Sequence, residues 1–500
     1  MAQPLICLCL TGTTLEEDLE IADKYRPYID LVELRVDWLD EDERLNVREF
    51  PSKVGLPAIL TIRRVADGGK FEEGEASRAQ LFARALAFAK QDTTKNFAYV
   101  DFEDDFYVPS LQDAALAFGT RIIRSFHDMK NPVTNIVERL DKMRTTGYEI
   151  PKIAFMPHGL SDITTLAKET SEQLAKTEQI ICAMGTFGFP TRVVSQRFHS
   201  YLSFTSPAEL SENLLEIGHT DPKTLSEMYR FKSINEETKL YGITGFPLKA
   251  TGSPALHNGK FKEEGLNAVY IPFKAETAKE AFDFACEMDF KGYSVTVPHK
   301  EEIMPLLDEI DGTAKEIGAC NTVINEGGFW RGYNTDFTGF SKALVEFVGK
   351  PTLKGKKVSV IGAGGAAKAI IYALKKLGAE VLICNRTKLK ARKLAQIYGC
   401  DFAGLGADCI PQIQSHSDII VQTTSKGMNS TEEPNENNDP LWFYDFTGRE
   451  MLFDIVYEPN VTPIMKRAKE AGCKVTNGLK MLQYQGEEQF RLFKDIYGRS

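Results

Sequence analysis

The sequence predicts an α/β protein in two successive parts: an N-terminal (β/α)8 barrel, then a second α/β unit that ends in a nucleotide-binding doubly wound sheet. Three observations predict it. Eight short apolar runs alternate with helically spaced segments through the first half. Residues able to do chemistry fall within or just after those runs. The stretch 356–386, KKVSVIGAGGAAKAIIYALKKLGAEVLICNR, reads strand, glycine turn, helix, strand.

Composition narrows the function classes. A chain of 500 residues implies more than one domain, and 43% hydrophobic with 26% charged residues is the balance of an ordinary globular protein. A net charge of −10 argues against nucleic acid or an anionic membrane as partner, and no apolar run approaches spanning length. The N-terminus, MAQPLICLCL, lacks a basic n-region and reads as a strand rather than a signal peptide. Nine scattered cysteines without a CxxC pair fit free thiols in a reducing cytoplasm.

The strand-like runs of the first half are 5–10, 31–37, 58–63, 97–102, 121–127, 151–156, 179–184 and 200–205. Periodicity alone also allows an open doubly wound sheet; the polar residues decide for the barrel. Glu33 and Arg35 lie in the second run, Arg63 closes the third, His127 closes the fifth, Lys152 opens the sixth, and Arg192 follows the seventh. Barrel active sites form where the strands end, so these side chains can converge. Three arginines there imply an anionic substrate, a carboxylate above all. A lysine within an apolar strand implies an amine of depressed pKa, ready to form a Schiff base with a carbonyl. A nearby histidine can move protons. No metal-ligand spacing is visible, so the expectation is a lysine mechanism and no metal.

These residues carry a resemblance. ELRVD at 33–37, TIR at 61–63, SFHD at 125–128, PKIAFMP at 151–157 and the later Arg192 resemble type I 3-dehydroquinate dehydratase over roughly residues 5–225. The resemblance implies that Lys152 forms an imine with the substrate ketone, that His127 removes the proton next to the imine carbon and helps the hydroxyl leave, and that Glu33, Arg35, Arg63 and Arg192 bind substrate or shape the site. Two departures stand out. Asp67-Gly68-Gly69 replaces the family's Glu-Gly-Gly, one methylene shorter where His127 is oriented. The late Ser-Ala-Pro-Gly-Gln loop is not recognisable in 214–219, where His219 is the candidate to replace the glutamine.

A short polar segment, 233–238, marks the expected domain boundary. Beyond it a new α/β pattern begins. Lys300 in VTVPHK, Asn321 in ACNT, and Asn334 and Asp336 in GYNTDFTGF offer a lysine–carboxylate pair for proton transfer beside a nicotinamide. Then comes the apolar run 358–361, and Gly362, Ala363, Gly364, Gly365 and Ala366 follow it, where glycines let the backbone approach a pyrophosphate at a helix N-terminus. The second strand of that unit ends in Asn385, Arg386 and Thr387, with Lys390 close behind. Two cations there suit a 2′-phosphate, so the cofactor expected is NADP(H). Cations in the first turn of a helix oppose its dipole unless an anion is bound.

Residues 240–500 resemble shikimate dehydrogenase. The motifs are VTVPHK, ACNT, GYNTDFTGF, GAGGAAKA, NRT, 424–428, 457–462 and 478–486. The resemblance implies Lys300 and Asp336 as the catalytic pair. It implies Thr251, Ser253, Thr296, Asn321, Tyr457 and Gln485 as substrate binders, and Gly478 and Met481 at the nicotinamide. The family's His-Ser-x-Ser-Pro is here Ala250-Thr251-Gly-Ser253-Pro254. The whole chain then reads as an α/β protein with an N-terminal (β/α)8 TIM barrel and a two-domain shikimate dehydrogenase-like unit with an NADP-binding Rossmann domain. The expected bounds are 1–232 for the barrel, 239–345 for the substrate domain, 346–476 for the NADP domain and 477–500 for a returning helix. The expected function is dehydration of 3-dehydroquinate followed by NADPH-dependent reduction of 3-dehydroshikimate to shikimate. The rival readings are a quinate-using dehydrogenase with a weakened first domain and a non-catalytic metabolite sensor; retention of Lys152, His127, Lys300 and Asp336 favours the enzyme. Oligomeric state has no signature in the sequence.

The cofactor expectation has a direct check. If Arg386 and Lys390 hold a 2′-phosphate through charge-assisted bonds worth roughly 1.5–3 kcal/mol each, Arg386→Asp weakens NADPH far more than NADH in a fluorescence titration. Equal loss for both would make Arg386 structural.

Overall fold

The computed structural model of the chain describes residues 3–87, 95–170, 174–210, 218–248 and 251–498. Ala250 and residues 214–217, named above, lie outside these. The chain divides into two compact units, 1–290 and 291–500.

In the first unit eight parallel strands follow one another around a barrel: β1 (Leu5–Leu10), β2 (Leu31–Arg35), β3 (Ala58–Thr61), β4 (Tyr99–Glu103), β5 (Arg121–Asp128), β6 (Glu149–Phe155), β7 (Ile180–Ala183) and β8 (Leu202–Thr205). β8 pairs with β1, and a single bridge, Gln179 to Ser200, spans the seam between β7 and β8. Each strand overlaps its predicted run, with β4 and β5 extending one residue beyond theirs and β6 beginning two residues before. Two placements differ from expectation. Lys152 is the fourth residue of β6 rather than its start, because the strand begins at Glu149, whose carboxylate accepts from Thr145 Oγ1 at 3.0 Å and holds the preceding turn. Arg63 lies two residues beyond β3, and its backbone N–H donates to Asp37 at 3.2 Å. Arg192 follows β7, as expected, on the helix Gly185–Val193.

Alternation along the strands sorts the interior into layers. Leu31, Ile59, Tyr99, Ile123, Ile150, Ile180 and Leu202 belong to one apolar cluster, the barrel floor. Two residues further along each strand come Glu33, Thr61, Asp101, Ser125, Lys152 and Cys182, all buried. One step more brings Arg35, Arg63, Glu103 and His127. A polar layer thus rests on an apolar one because every second residue shares a face.

The segment 233–238 is folded rather than slack. Thr238 Oγ1 donates to Asn267 Oδ1 at 2.7 Å, the Asn235 N–H donates to Thr238 Oγ1 at 2.8 Å, and Arg197 donates to the Thr238 carbonyl at 2.9 Å. The first unit runs on through β9 (Lys239–Thr244) and β10 (Ala268–Pro272), which pair in parallel.

In the second unit β11 (Phe290–Val295) and β13 (Thr322–Glu326) are antiparallel. So are β13 and β14 (Phe329–Tyr333), while the short β12 (Glu309–Ile310) runs parallel to β14. A six-stranded parallel sheet follows, ordered β17 (Asp401–Gly404), β16 (Glu380–Asn385), β15 (Lys357–Ile361), β18 (Ile419–Gln422), β19 (Met451–Asp454), β20 (Lys474–Thr476). The order in which the chain adds strands reverses between β15 and β18, the switch point where open α/β sheets bind ligands. The helix Leu479–Tyr497 returns along the helix Asp336–Val348; a Cβ on Gly339 would lie 2.6 Å from that of Gln485, so glycine sets their approach.

Candidate active sites

The barrel's polar layer is a lattice of charges. Lys152 Nζ donates to Asp101 Oδ2 at 2.9 Å and lies 3.8 Å from Glu33 Oε1. Arg63 reaches Asp101 at 2.8 Å, Glu103 at 2.6 Å and Ser125 Oγ at 3.1 Å. Arg78 binds the other oxygen of Glu103 at 2.6 Å, and Thr61 donates to Glu33 at 2.9 Å. Three basic side chains (Lys152, Arg63, Arg78) face three acidic ones (Glu33, Asp101, Glu103), all buried. Charges are tolerated in such an interior only when paired and hydrogen-bonded.

This lattice corrects one expectation. Burial alone would lower the Lys152 pKa, but Asp101 and then Glu33 hold it above that of an ordinary lysine. The apolar strand was visible in the sequence; the carboxylates facing the amine were not. Burial would likewise raise Asp101, yet Arg63 and Lys152 hold its carboxyl far below the usual range. His127 goes the other way: burial, then Arg63 and Lys152, push its pKa well below 6.5, so the imidazole is neutral and able to accept a proton.

Among the three arginines only one is free for an anion. Arg35 is spent on Asp37, at 3.0 and 2.8 Å, and Arg63 on the lattice. Arg192 is 3% exposed, and its Nε and NH1 have no hydrogen-bond partner. Such orphaned donors are costly unless a ligand meets them. His219 stands near it: Ser206 Oγ and His219 Nδ1 are 2.6 Å apart, and the charges of Arg192, Lys152 and Arg35 all act on this ring, whose pKa burial and those cations push well below 6.5. Asp67 does not reach His127; it accepts from Arg64 Nε at 2.7 Å, and His127 Nδ1 is buried without a partner.

The second unit brings its predicted pair together. Lys300 Nζ donates to Asp336 Oδ2 at 2.6 Å, and Asn321 Nδ2 donates to Asp336 Oδ1 at 2.8 Å. Asp336 opens its helix, Asn321 precedes β13, and Lys300 follows β11. Thr335 Oγ1 donates to Gln485 Oε1 at 3.3 Å, while its backbone N–H donates to Asn321 Oδ1 at 2.7 Å. Gln489 ties this network to Thr322 at 3.0 Å and to Ser294 at 3.0 Å. Thr296 and Tyr457 are half-buried. Met481 packs in the core with Phe340 and Phe453. In the first unit Thr251 and Ser253 hydroxyls lie 3.2 Å apart at the start of the helix Ser253–Glu263.

The glycine turn fits a phosphate-bearing cofactor. Gly362 has φ +119°, and a Cβ there would come within 2.4 Å of Thr423 Oγ1; at Gly364 a Cβ would meet open space. Gly365 opens the helix Gly365–Lys376, whose first turn carries no acid, and lies beside the aliphatic chain of Lys300, 3.4 Å from a Cβ there to Cδ. Arg386 and Lys390 are exposed and make no ion pair among the described residues. Lys388 and Lys390 stand in the first turn of the helix Lys388–Tyr398, which also lacks an acid. Asn385 Nδ2 donates to the Thr387 carbonyl at 3.0 Å and shapes the turn. A helix start with two unpaired cations is a place prepared for an anion.

Sequence reasoning missed Asp101, Glu103 and Ser125 in the barrel, and Thr335 and Gln489 in the second unit. Asp101 and Glu103 alternate with Tyr99 on β4, so the period-two rule carried the signal.

Three family models match the chain in order: type I 3-dehydroquinase over residues 6–236, the shikimate dehydrogenase substrate binding domain over 243–323, and shikimate/quinate 5-dehydrogenase over 344–475. A bifunctional 3-dehydroquinate dehydratase/shikimate dehydrogenase of Arabidopsis thaliana, described as chloroplastic, is 32% identical, covering 98% of this chain and 82% of the relative. An NADP(+) shikimate dehydrogenase of Aquifex aeolicus is 45% identical over 52% of this chain and 93% of its own length. A crystal structure of shikimate dehydrogenase from Aquifex aeolicus matches with 42% identity and a TM-score of 0.47, covering 53% of this chain and 98% of that one. The chain belongs to the family of bifunctional 3-dehydroquinate dehydratase/shikimate dehydrogenases.

Proposed function

We propose that Lys152, His127 and Arg192 dehydrate 3-dehydroquinate, and that Lys300 and Asp336 serve the reduction of the 3-dehydroshikimate so formed to shikimate with NADPH. One observation carries the first reaction: a buried lysine between two carboxylates, with a neutral histidine in the same charge field and an arginine whose donors have no partner. Arg192 takes the substrate carboxylate. Lys152, freed of its proton, attacks the ketone carbon; water leaves and an imine joins Nζ to that carbon. His127 takes the proton from the neighbouring carbon, and the electron pair expels the hydroxyl one carbon further on. His127 can return that proton to the leaving oxygen, and water then hydrolyses the imine to release the product and Lys152. Glu33 and Asp101 stabilise the cationic nitrogen throughout. Arg35 and Arg63 shape the pocket through their carboxylate partners.

In the second reaction NADPH, when bound, supplies the hydride. Gly362, Ala363, Gly364, Gly365 and Ala366 would receive its pyrophosphate, and Asn385, Arg386, Thr387 and Lys390 its 2′-phosphate, with Gly478 and Met481 toward the nicotinamide. Lys300 gives a proton to the carbonyl oxygen as it becomes a hydroxyl, and Asp336 holds and recharges that lysine. Asn321 fixes Asp336; Thr251, Ser253, Thr296, Tyr457 and Gln485 bind substrate hydroxyls and carboxylate. The domain bounds proposed are 1–232, 239–345, 346–476 and 477–500. A reducing, cytoplasmic setting is supported by nine free cysteines. No helix among the described residues is long and apolar enough to cross a membrane.

Borohydride added with 3-dehydroquinate should place the ligand's mass on the peptide containing Lys152, while the protein given 3-dehydroquinate and NADPH makes shikimate. Lys300→Ala and Asp336→Ala should each cut reduction by ~10²–10⁴-fold and spare dehydration. Label elsewhere, or reduction surviving either change, contradicts the assignment.

Asp101→Asn tests the lattice. Asp101 raises the Lys152 pKa, so its loss lets the free amine appear at lower pH, and the acid limb of kcat/KM for dehydration should move to lower pH. The urea midpoint should fall by an amount equivalent to about 3–5 kcal/mol, because a buried pair is broken. An unmoved limb would show that Asp101 does not govern the amine.

A further inference from the structure

The helix Gly185–Val193 presents Arg192, and it is held from two sides. On the barrel side it is pressed against β7: a Cβ on Gly188 would come within 2.3 Å of the Ala183 carbonyl oxygen, and the Ala183 N–H donates to Thr191 Oγ1 at 3.3 Å. On the other side it meets chain from beyond the barrel. Lys274, two residues past β10, donates from Nζ to Thr186 Oγ1 at 3.2 Å. The same ammonium lies 4.7 Å from the ring centre of Phe187 and 5.1 Å from that of Phe246.

This contact is one point of a longer seam. The helix Leu160–Thr170 packs against the helix Ala278–Glu287, and Arg230 donates to the carbonyls of Leu266 and Ala268 at 3.1 and 2.8 Å. Lys274 is the part of the seam that touches the arginine-bearing helix in its first turn. The macrodipole repels a cation at that end, so Lys274 adds nothing to the helix through its charge. It is kept there by two aromatic faces and a hydroxyl. What it supplies is a fixed position for the first turn, about one and a half turns before Arg192.

We propose that Lys274 is a positioning residue for the dehydratase: by clamping Thr186 and Phe187 it sets the aim of Arg192, so the barrel's grip on its substrate is completed by a segment that follows the barrel in sequence. The inference rests on the reading that Arg192 takes the substrate carboxylate. An interaction made equally with substrate and transition state appears in KM rather than in kcat.

The test compares full-length variants in the dehydratase assay. Lys274→Ala and Lys274→Met should each raise KM for 3-dehydroquinate by about 3- to 10-fold, well within what a sub-ångström displacement of a binding group can cost. Their kcat should stay within about twofold. Lys274→Met keeps the bulk between the two rings, so it guards against simple unfolding. Lys274→Arg should restore KM. Reduction of 3-dehydroshikimate at saturating substrate, which depends on Lys300 and Asp336, should hold in all three and report a folded chain. Arg192→Ala is the reference. If it leaves KM unchanged, the carboxylate reading itself fails. If Arg192→Ala raises KM and neither Lys274→Ala nor Lys274→Met does, Lys274 has no positioning role. A parallel loss of both activities in the Lys274 variants would make it a general stability contact and overturn the proposal.

Discussion

The pairing of Lys152 with Asp101 and Glu33 is the constraint on which the barrel's interior depends. Three cations and three carboxylates sit above an apolar floor, and none can be withdrawn without leaving an uncompensated buried charge. Arg63 and Arg78 together neutralise Glu103, and Arg63 also shares Asp101 with the lysine. The same arrangement sets the chemistry. Carboxylates that hold an ammonium will also hold an iminium, while burial, together with the cations that offset them, keeps His127 neutral. Structure and reactivity therefore draw on one set of contacts, and a change meant to alter one will move the other.

Much of this was legible in the sequence. Alternation and run length located the eight barrel strands and the β15–glycine–helix–β16 unit, because each of those signals is local. Lys300 and Asp336 were legible as a pair from their motifs. Asp101 was not singled out, since an acid on an inward strand position gains meaning only from what lies across the ladder, and cross-strand neighbours depend on register. The sign of the Lys152 shift failed for that reason: burial was readable, its counter-charges were not. Arg35 and Arg63 looked like anion binders for the same cause; Asp37, Asp101 and Glu103 had already claimed them.

The segment 233–238 shows a different limit. Its polarity reads as a linker, and each side chain alone would suit one. In the fold those polar groups satisfy one another and the backbone on both sides, through Asn235, Thr238, Asn267 and Arg197. Polar composition thus marks a boundary between family regions without marking a break in packing. The contact of Lys274 with Thr186 belongs to the same seam, where residues outside the barrel touch an element that carries a substrate-binding side chain.

The central claim is that carboxylates, rather than burial, govern the Lys152 amine before substrate arrives. Following the Lys152 Nζ resonance in ¹⁵N-lysine-labelled protein across alkaline pH tests it most directly, with Lys152→Met to assign the signal. The account predicts a titration midpoint above that of the exposed lysines in the same spectrum. A midpoint below theirs would mean that desolvation prevails, and the lattice could not then be what holds the proton.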